Sequence, residues 1–175
     1  MKSGGFFLFL FATTFSSMEE VATPVQVYVY DLSRGLARNY SRMFLGTEIE
    51  AIYHTSVVVR GKEYYLDRGI QIVRAQSHHL KYGSPIEVIE VGETFIDDET
   101  IDAFINDLRG REDMKYEAAK YDLFTNNCNH FTNTFLEFLC DKKLDDRILN
   151  LPEVVLETPA GRMLQQMIGG AGQFF

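Results

Sequence analysis

Asn126-Asn127-Cys128-Asn129-His130-Phe131, continued by Thr132-Asn133-Thr134-Phe135-Leu136-Glu137-Phe138-Leu139-Cys140, is the stretch on which the reading of this 175-residue chain turns. Phe131, Phe135, Phe138 and Leu139 recur at i, i+4, i+7 and i+8, the spacing of one face of an α-helix. That stripe alone is ordinary core packing. Two asparagines stand just ahead of it, and asparagine side chains cap the open amides of a helix start. A helix is therefore expected from about Asn127 to Cys140, with Cys128 in its first turn.

Upstream, the pattern changes to period two. Val25 to Asp31 (VQVYVYD) alternates and is rich in β-branched and aromatic residues, which predicts a strand. Ile52 to Val59 predicts a second, and Gly61-Lys62 reads as a two-residue hairpin turn into Glu63 to Leu66. Ile86 to Val91 is a further strand, and Leu32 to Leu45 a loop or irregular helix. Asp97 or Asp98 can cap a helix whose face holds Ile101, Phe104, Ile105 and Leu108, with Gly110 at its end. Pro152 opens a last amphipathic stretch through Ile168. Strands followed mostly by helices give an α+β class with an antiparallel sheet packed against helices.

A chain of 20.1 kDa, 46% apolar and 13% aromatic, forms one globular domain with a real core. Its formal net charge of -8 argues against nucleic acid as a partner, since phosphate binding needs clustered Lys and Arg. The two cysteines, Cys128 and Cys140, do not make a disulfide framework. Neither CxxC nor HExxH occurs, and the four histidines have no zinc spacing, so no metal and no cofactor are expected. Phe6 to Ala12 (FFLFLFA) after Lys2 resembles the apolar core of a secretory signal, although its cleavage site is weak. It is too short to span a bilayer, which takes roughly 20 apolar residues. The simpler reading is a dispensable leader before an alternative start at Met18. Asn39-Tyr40-Ser41 is a glycosylation sequon that matters only on secretion. A reducing compartment is favoured because a reactive free thiol survives there.

Cys128 is the candidate for chemistry. Open amides and the helix dipole favour thiolate, predicting a lowered pKa, and can also hold an oxyanion. Cys140, at the far end, lacks those amides and reads as structural. His54, in a strand among small residues, is the candidate base. His78-His79 reads as solvated surface. His130 is two residues from Cys128, and such positions do not face each other on a helix, so it reads as support for the loop. With a Gly61-Lys62 turn, Ser56 pairs with Asp67, which then stands diagonal to His54 at roughly 7–8 Å between α-carbons. A carboxylate there could orient the imidazole, or be simply a solvated acid.

These residues carry a resemblance. Val27-Tyr28-Val29-Tyr30-Asp31-Leu32-Ser33, Ile52-Tyr53-His54-Thr55-Ser56-Val57-Val58-Val59, Glu63-Tyr64-Tyr65-Leu66 with Gly69-Ile70, Tyr121-Asp122-Leu123 and Asn126 to Phe131 together resemble the PPPDE peptidases. That permuted papain-fold family includes deSUMOylating isopeptidases. The resemblance implies a permuted papain-like fold, with Cys128 as nucleophile and His54 as base in a Cys-His dyad. Family members often carry glycine where Asp67 stands, so it implies no carboxylate third member. It implies a thiol isopeptidase acting on ubiquitin-like modifier (SUMO or ubiquitin) conjugates, in the cytoplasm and/or nucleus, with secretion left open. Tyr30 and Asn126 are candidates for a second oxyanion donor. The chain divides as a leader or extension (residues 1–20), a catalytic domain (21–168) and a flexible tail (169–175); oligomeric state is not readable. The Asn-Cys-x-His-Phe run also resembles lecithin:retinol acyltransferase-like proteins, and hydrolysis of protein fatty-acyl thioesters is a related variant. A non-catalytic binding module is the third alternative.

Overall fold

The computed structural model describes residues 21–77 and 79–170; the expected leader, His78 and residues 171–175 of the tail lie outside the described residues. Strand β1 (Thr23–Asp31) sends Val25, Val27 and Val29 to one face, where all three are buried, and Tyr28 and Tyr30 to the other. Helix α1 (Leu36–Leu45) is regular where only a loop or irregular helix is legible; Gly35 and Gly46 bound it in left-handed conformation.

Strands β2 (Tyr53–Val59) and β3 (Lys62–Asp67) form the hairpin, but its turn is Arg60-Gly61 rather than Gly61-Lys62. Val59 pairs with Lys62, and Arg60 (φ 50°) and Gly61 (φ 72°) take the two positive-φ places of such a turn. Strand β4 (Gly69–Arg74), hidden in a short mixed segment, folds back through Gly69 at φ 98°. Helix α2 (His79–Tyr82) leads to β5 (Glu87–Thr94), and the five strands lie in the order β4-β3-β2-β1-β5, antiparallel throughout.

The carboxylate of Asp97 caps α3 (Asp98–Arg109), accepting from Thr100 N at 2.8 Å. A 3-10 turn (Ala118–Lys120) precedes α4 (Cys128–Cys140), which packs across β2 and β3. Phe131, Phe135 and Leu136 are fully buried there with Tyr64, Leu66, Ile101 and Ile105. Three helices close the chain: α5 (Asp146–Leu149), α6 (Leu151–Leu156) and α7 (Pro159–Gly170). The expected single amphipathic stretch from Pro152 to Ile168 is thus two helices. Thr158 Oγ1 donates to Val155 O at 2.8 Å, and a Cβ at Gly161 would stand 1.9 Å from that oxygen, so the break requires glycine there. Helix α7 also takes in Gly169 and Gly170, which the sequence assigns to the tail.

One feature of the sheet positions the site. β2 pairs with β1 from Tyr53 to Val58, but with β3 only from Val57 to Val59. The backbone of Tyr53 and Thr55 on the β3 side is therefore released from the ladder, and the first turn of α4 uses it. Asn129 Nδ2 donates to Tyr53 O at 3.3 Å, and the Thr55 amide is directed at the Cys128 sulfur.

Candidate active site

The loop before α4 is tied down by its own polar side chains. Asp122 Oδ1 accepts from Phe124 N (2.9 Å), Thr125 N (2.7 Å) and Thr125 Oγ1 (2.8 Å), and Asp122 and Asn126 exchange backbone bonds of 3.0 Å. Asn127 is the N-cap: its Oδ1 accepts from Asn129 N (2.9 Å) and His130 N (3.2 Å), and its Nδ2 donates to Leu123 O (2.8 Å). His130 Nδ1 returns to within 3.3 Å of Asn127 N and completes a capping box, the supporting role expected of it. Burial, followed by Lys115, pulls its pKa down.

Cys128 is 3% exposed at the first position of this helix, and its thiol donates to Asn129 Oδ1 at 3.6 Å. Burial raises the thiol pKa. The Thr55 amide, the Tyr121 hydroxyl and the amides of Asn129 and Cys128 itself favour thiolate but recover only part of that, leaving it pushed up to about 11. The direction is opposite to the expected lowering: at a fully desolvated sulfur, the loss of water outweighs what a helix start supplies. Cys140 is half-buried at the other end, donates to Leu136 O at 3.4 Å, and is likewise raised by burial.

The sign of this shift gives a measurable outcome. Alkylation requires thiolate, so the rate at Cys128 in the free protein should climb with pH, by about tenfold per unit, toward a plateau near pH 11. Iodoacetamide labelling with peptide mapping between pH 7 and 11 measures it. A plateau at pH 8 or below would contradict a thiol held neutral by burial.

His54, also 3% exposed, stands on the sheet face that carries Tyr30 and Ser56. Its ring lies 4.8 Å from that of Tyr82, 5.9 Å from Tyr65 and 6.1 Å from Tyr30. Tyr53 and Thr55, its neighbours on either side, are the two residues whose backbone meets the start of α4. The fold thus brings the segment bearing His54 and the turn bearing Cys128 together.

Other expectations fall away. Asp67 is not diagonal to His54, because the β2–β3 ladder stops at Tyr64; its carboxylate instead accepts from Lys81 Nζ at 2.6 Å. Tyr30 donates its hydroxyl to Glu63 Oε1 (2.7 Å), and Asn126 Nδ2 donates to Lys115 O (2.6 Å) and Lys120 O (2.8 Å), so the donors of both are already engaged. His79 is half-buried rather than solvated, with its ring 5.7 Å from Tyr28 and 6.0 Å from Tyr30. Glu63, fully buried, also accepts from Ser56 Oγ at 2.6 Å and Gln76 N at 3.2 Å, tying three elements together on the His54 face. Among the described residues, no group of three His, Cys, Asp or Glu side chains could hold a metal, and no helix is long and apolar enough to cross a membrane.

An antiparallel α+β scaffold with a cysteine opening the central helix against a histidine-bearing strand defines the class: a cysteine peptidase of the permuted papain kind. Comparison with known proteins is specific. The family model described as the PPPDE putative peptidase domain matches residues 23–169, and the chain belongs to that family. It is 39% identical to human Desumoylating isopeptidase 1 over 145 residues, covering 83% of this chain and 84% of that protein. The rat protein of the same name is 39% identical over 146 residues (83% and 84%), and that of Xenopus laevis 37% over 153 residues (86% and 88%).

Proposed function

We propose that this protein is a thiol isopeptidase that releases a ubiquitin-like modifier, of the SUMO type, from the lysines of conjugated proteins, with Cys128 as nucleophile and His54 as general base. The observation that carries the reading is that the buried Cys128 opens α4 and that its turn is hydrogen-bonded to the residues on either side of His54. The Cys128, Asn129 and Thr55 amides and the Tyr121 hydroxyl all favour its anionic form, on a helix start joined to the strand that bears His54. The relatives named for desumoylation support the modifier class.

The chemistry follows from a thiol that is neutral at rest. Proton transfer from Cys128 to His54 accompanies attack of sulfur on the carbonyl carbon that joins the modifier's C-terminal residue to a lysine amine. The carbonyl π electrons move to oxygen, and that oxyanion is held by the Cys128 amide, with the Tyr121 hydroxyl as second donor. Collapse breaks the C–N bond as imidazolium protonates the departing amine, leaving a thioester. Water, deprotonated by His54, attacks the thioester carbonyl; the thiolate leaves and takes up the proton. The reaction needs a reduced sulfur, which fits a cytoplasmic or nuclear setting.

The test is incubation with C-terminal electrophilic probes of SUMO and of ubiquitin, followed by mapping of the adduct. An adduct on Cys128 with the SUMO probe, and cleavage of a SUMO isopeptide substrate, is the expected result. Cleavage of a fatty-acyl thioester alone would discard the isopeptidase reading while keeping Cys128 as nucleophile.

A further inference from the structure

Asn129 is 3% exposed on a helix face that turns mostly apolar side chains to the sheet, and the contacts of its side chain all concern the proposed pair. Its Oδ1 accepts from the Cys128 thiol at 3.6 Å and from Thr55 Oγ1 at 2.9 Å; its Nδ2 donates to Tyr53 O at 3.3 Å. Thr55 Oγ1 also lies 2.9 Å from Thr132 Oγ1, one helical turn further along. One carboxamide therefore binds the residue before His54, the residue after it, and the sulfur of Cys128. Tyr53 and Thr55 are also the positions where β2 has lost its β3 partner, so few other hydrogen bonds fix this end of the strand against α4.

We infer that Asn129 is a positioning residue, which with Thr55 sets the register between the Cys128 turn and the strand segment carrying His54. It takes the part that an acid partner of the histidine has in a triad, but acts through the Tyr53 carbonyl and the Thr55 hydroxyl on either side of the imidazole rather than on the ring. The inference rests on the proposed roles of Cys128 and His54. A buried amide bridge of this kind fixes distance without adding charge, and displacement of reacting groups by about 1 Å can cost roughly 10²-fold in rate.

The experiment compares Asn129→Leu, Thr55→Val and Thr55→Ser. Thr55→Val keeps the shape of the side chain and removes the hydroxyl, whereas Thr55→Ser keeps the hydroxyl. On a SUMO isopeptide substrate, Asn129→Leu should lower kcat by about 10- to 100-fold with KM within about threefold of the parent. Thr55→Val should move the same way, and Thr55→Ser should restore most of kcat. The second readout needs no substrate: the ring NMR resonances of His54, followed with and without Cys128→Ala. In the parent, Cys128→Ala should perturb them; in the Asn129→Leu and Thr55→Val backgrounds the perturbation should fall at least about threefold, the signature of lost coupling. Thr55→Val with parental kcat, or coupling unchanged in both variants, overturns the inference. A parent with neither turnover nor coupling overturns the Cys128–His54 reading itself, which separates the two failures.

Discussion

Cys128→Ala is expected to abolish release of a modifier from an isopeptide substrate, and Cys128→Ser to do nearly the same, while both retain substrate binding. Sulfur is the only group in the proposed scheme that forms a bond to the substrate, so its loss removes the chemical step without removing the contacts that bind the substrate. The serine variant is informative because a hydroxyl in so desolvated a site is far harder to ionise than a thiol already raised to about 11. His54→Ala should lower kcat by about 10²–10⁴-fold, the usual scale for losing a general base. His130→Ala should cost less, because its ring caps the helix and does not face the thiol. Asp67→Asn should be mild, since the partner of that carboxylate is Lys81. Steady-state turnover with binding to the inactive variants measures all five. Parental activity in Cys128→Ala would refute the assignment.

What the sequence made legible, and what it hid, divide along a physical line. Local patterns were sufficient wherever one face of an element meets one environment. The valines of β1, the phenylalanine stripe of α4 and the Asn127 cap all read correctly because spacing alone specifies them. Glycine at 61 suits either turn position, so the sequence leaves the hairpin turn open by one residue; the pairing of Val59 with Lys62 fixes it at Arg60-Gly61. β4 is not legible in the sequence because its short, mixed run depends on pairing with β3 rather than on any periodicity of its own. The break between α6 and α7 turns on the close approach of Gly161 to Val155 O, a contact in space.

The site follows the same division. His54 and Cys128 could be singled out as residues and through the family resemblance. The state of the thiol could not, because a helix start lowers a pKa and burial raises it, and how deeply the sulfur is buried is set by the fold. Asn129 and Thr55 offered one faint signal: polar side chains at positions that should face the core. A polar residue at such a place needs a buried partner. Here the partners lie 74 to 77 positions away in the chain, so no local pattern names them.

The same helix makes the largest stability prediction. Phe135 is fully buried at the centre of an aromatic cluster, its ring 4.9 Å from Tyr64, 5.9 Å from Phe131 and 6.1 Å from Phe104. Truncation to alanine removes the ring from contact with β3 and α3 at once and leaves a cavity that rigid neighbours fill poorly. Phe135→Ala should therefore destabilise the protein by about 3–5 kcal/mol. For a chain of this size that lowers Tm by roughly 6 to 20 °C. Phe138, stacked on Phe104 at 3.8 Å but only partly buried, is the comparison: Phe138→Ala loses less contact and should cost less. Thermal and urea unfolding measure both. Because α4 also carries Cys128, Phe135→Ala should lose turnover in step with its unfolding curve, and the folded fraction should keep kcat near the parent's. A loss below about 1 kcal/mol, or Phe138→Ala costing more than Phe135→Ala, would place the centre of the core elsewhere than under the nucleophile's helix.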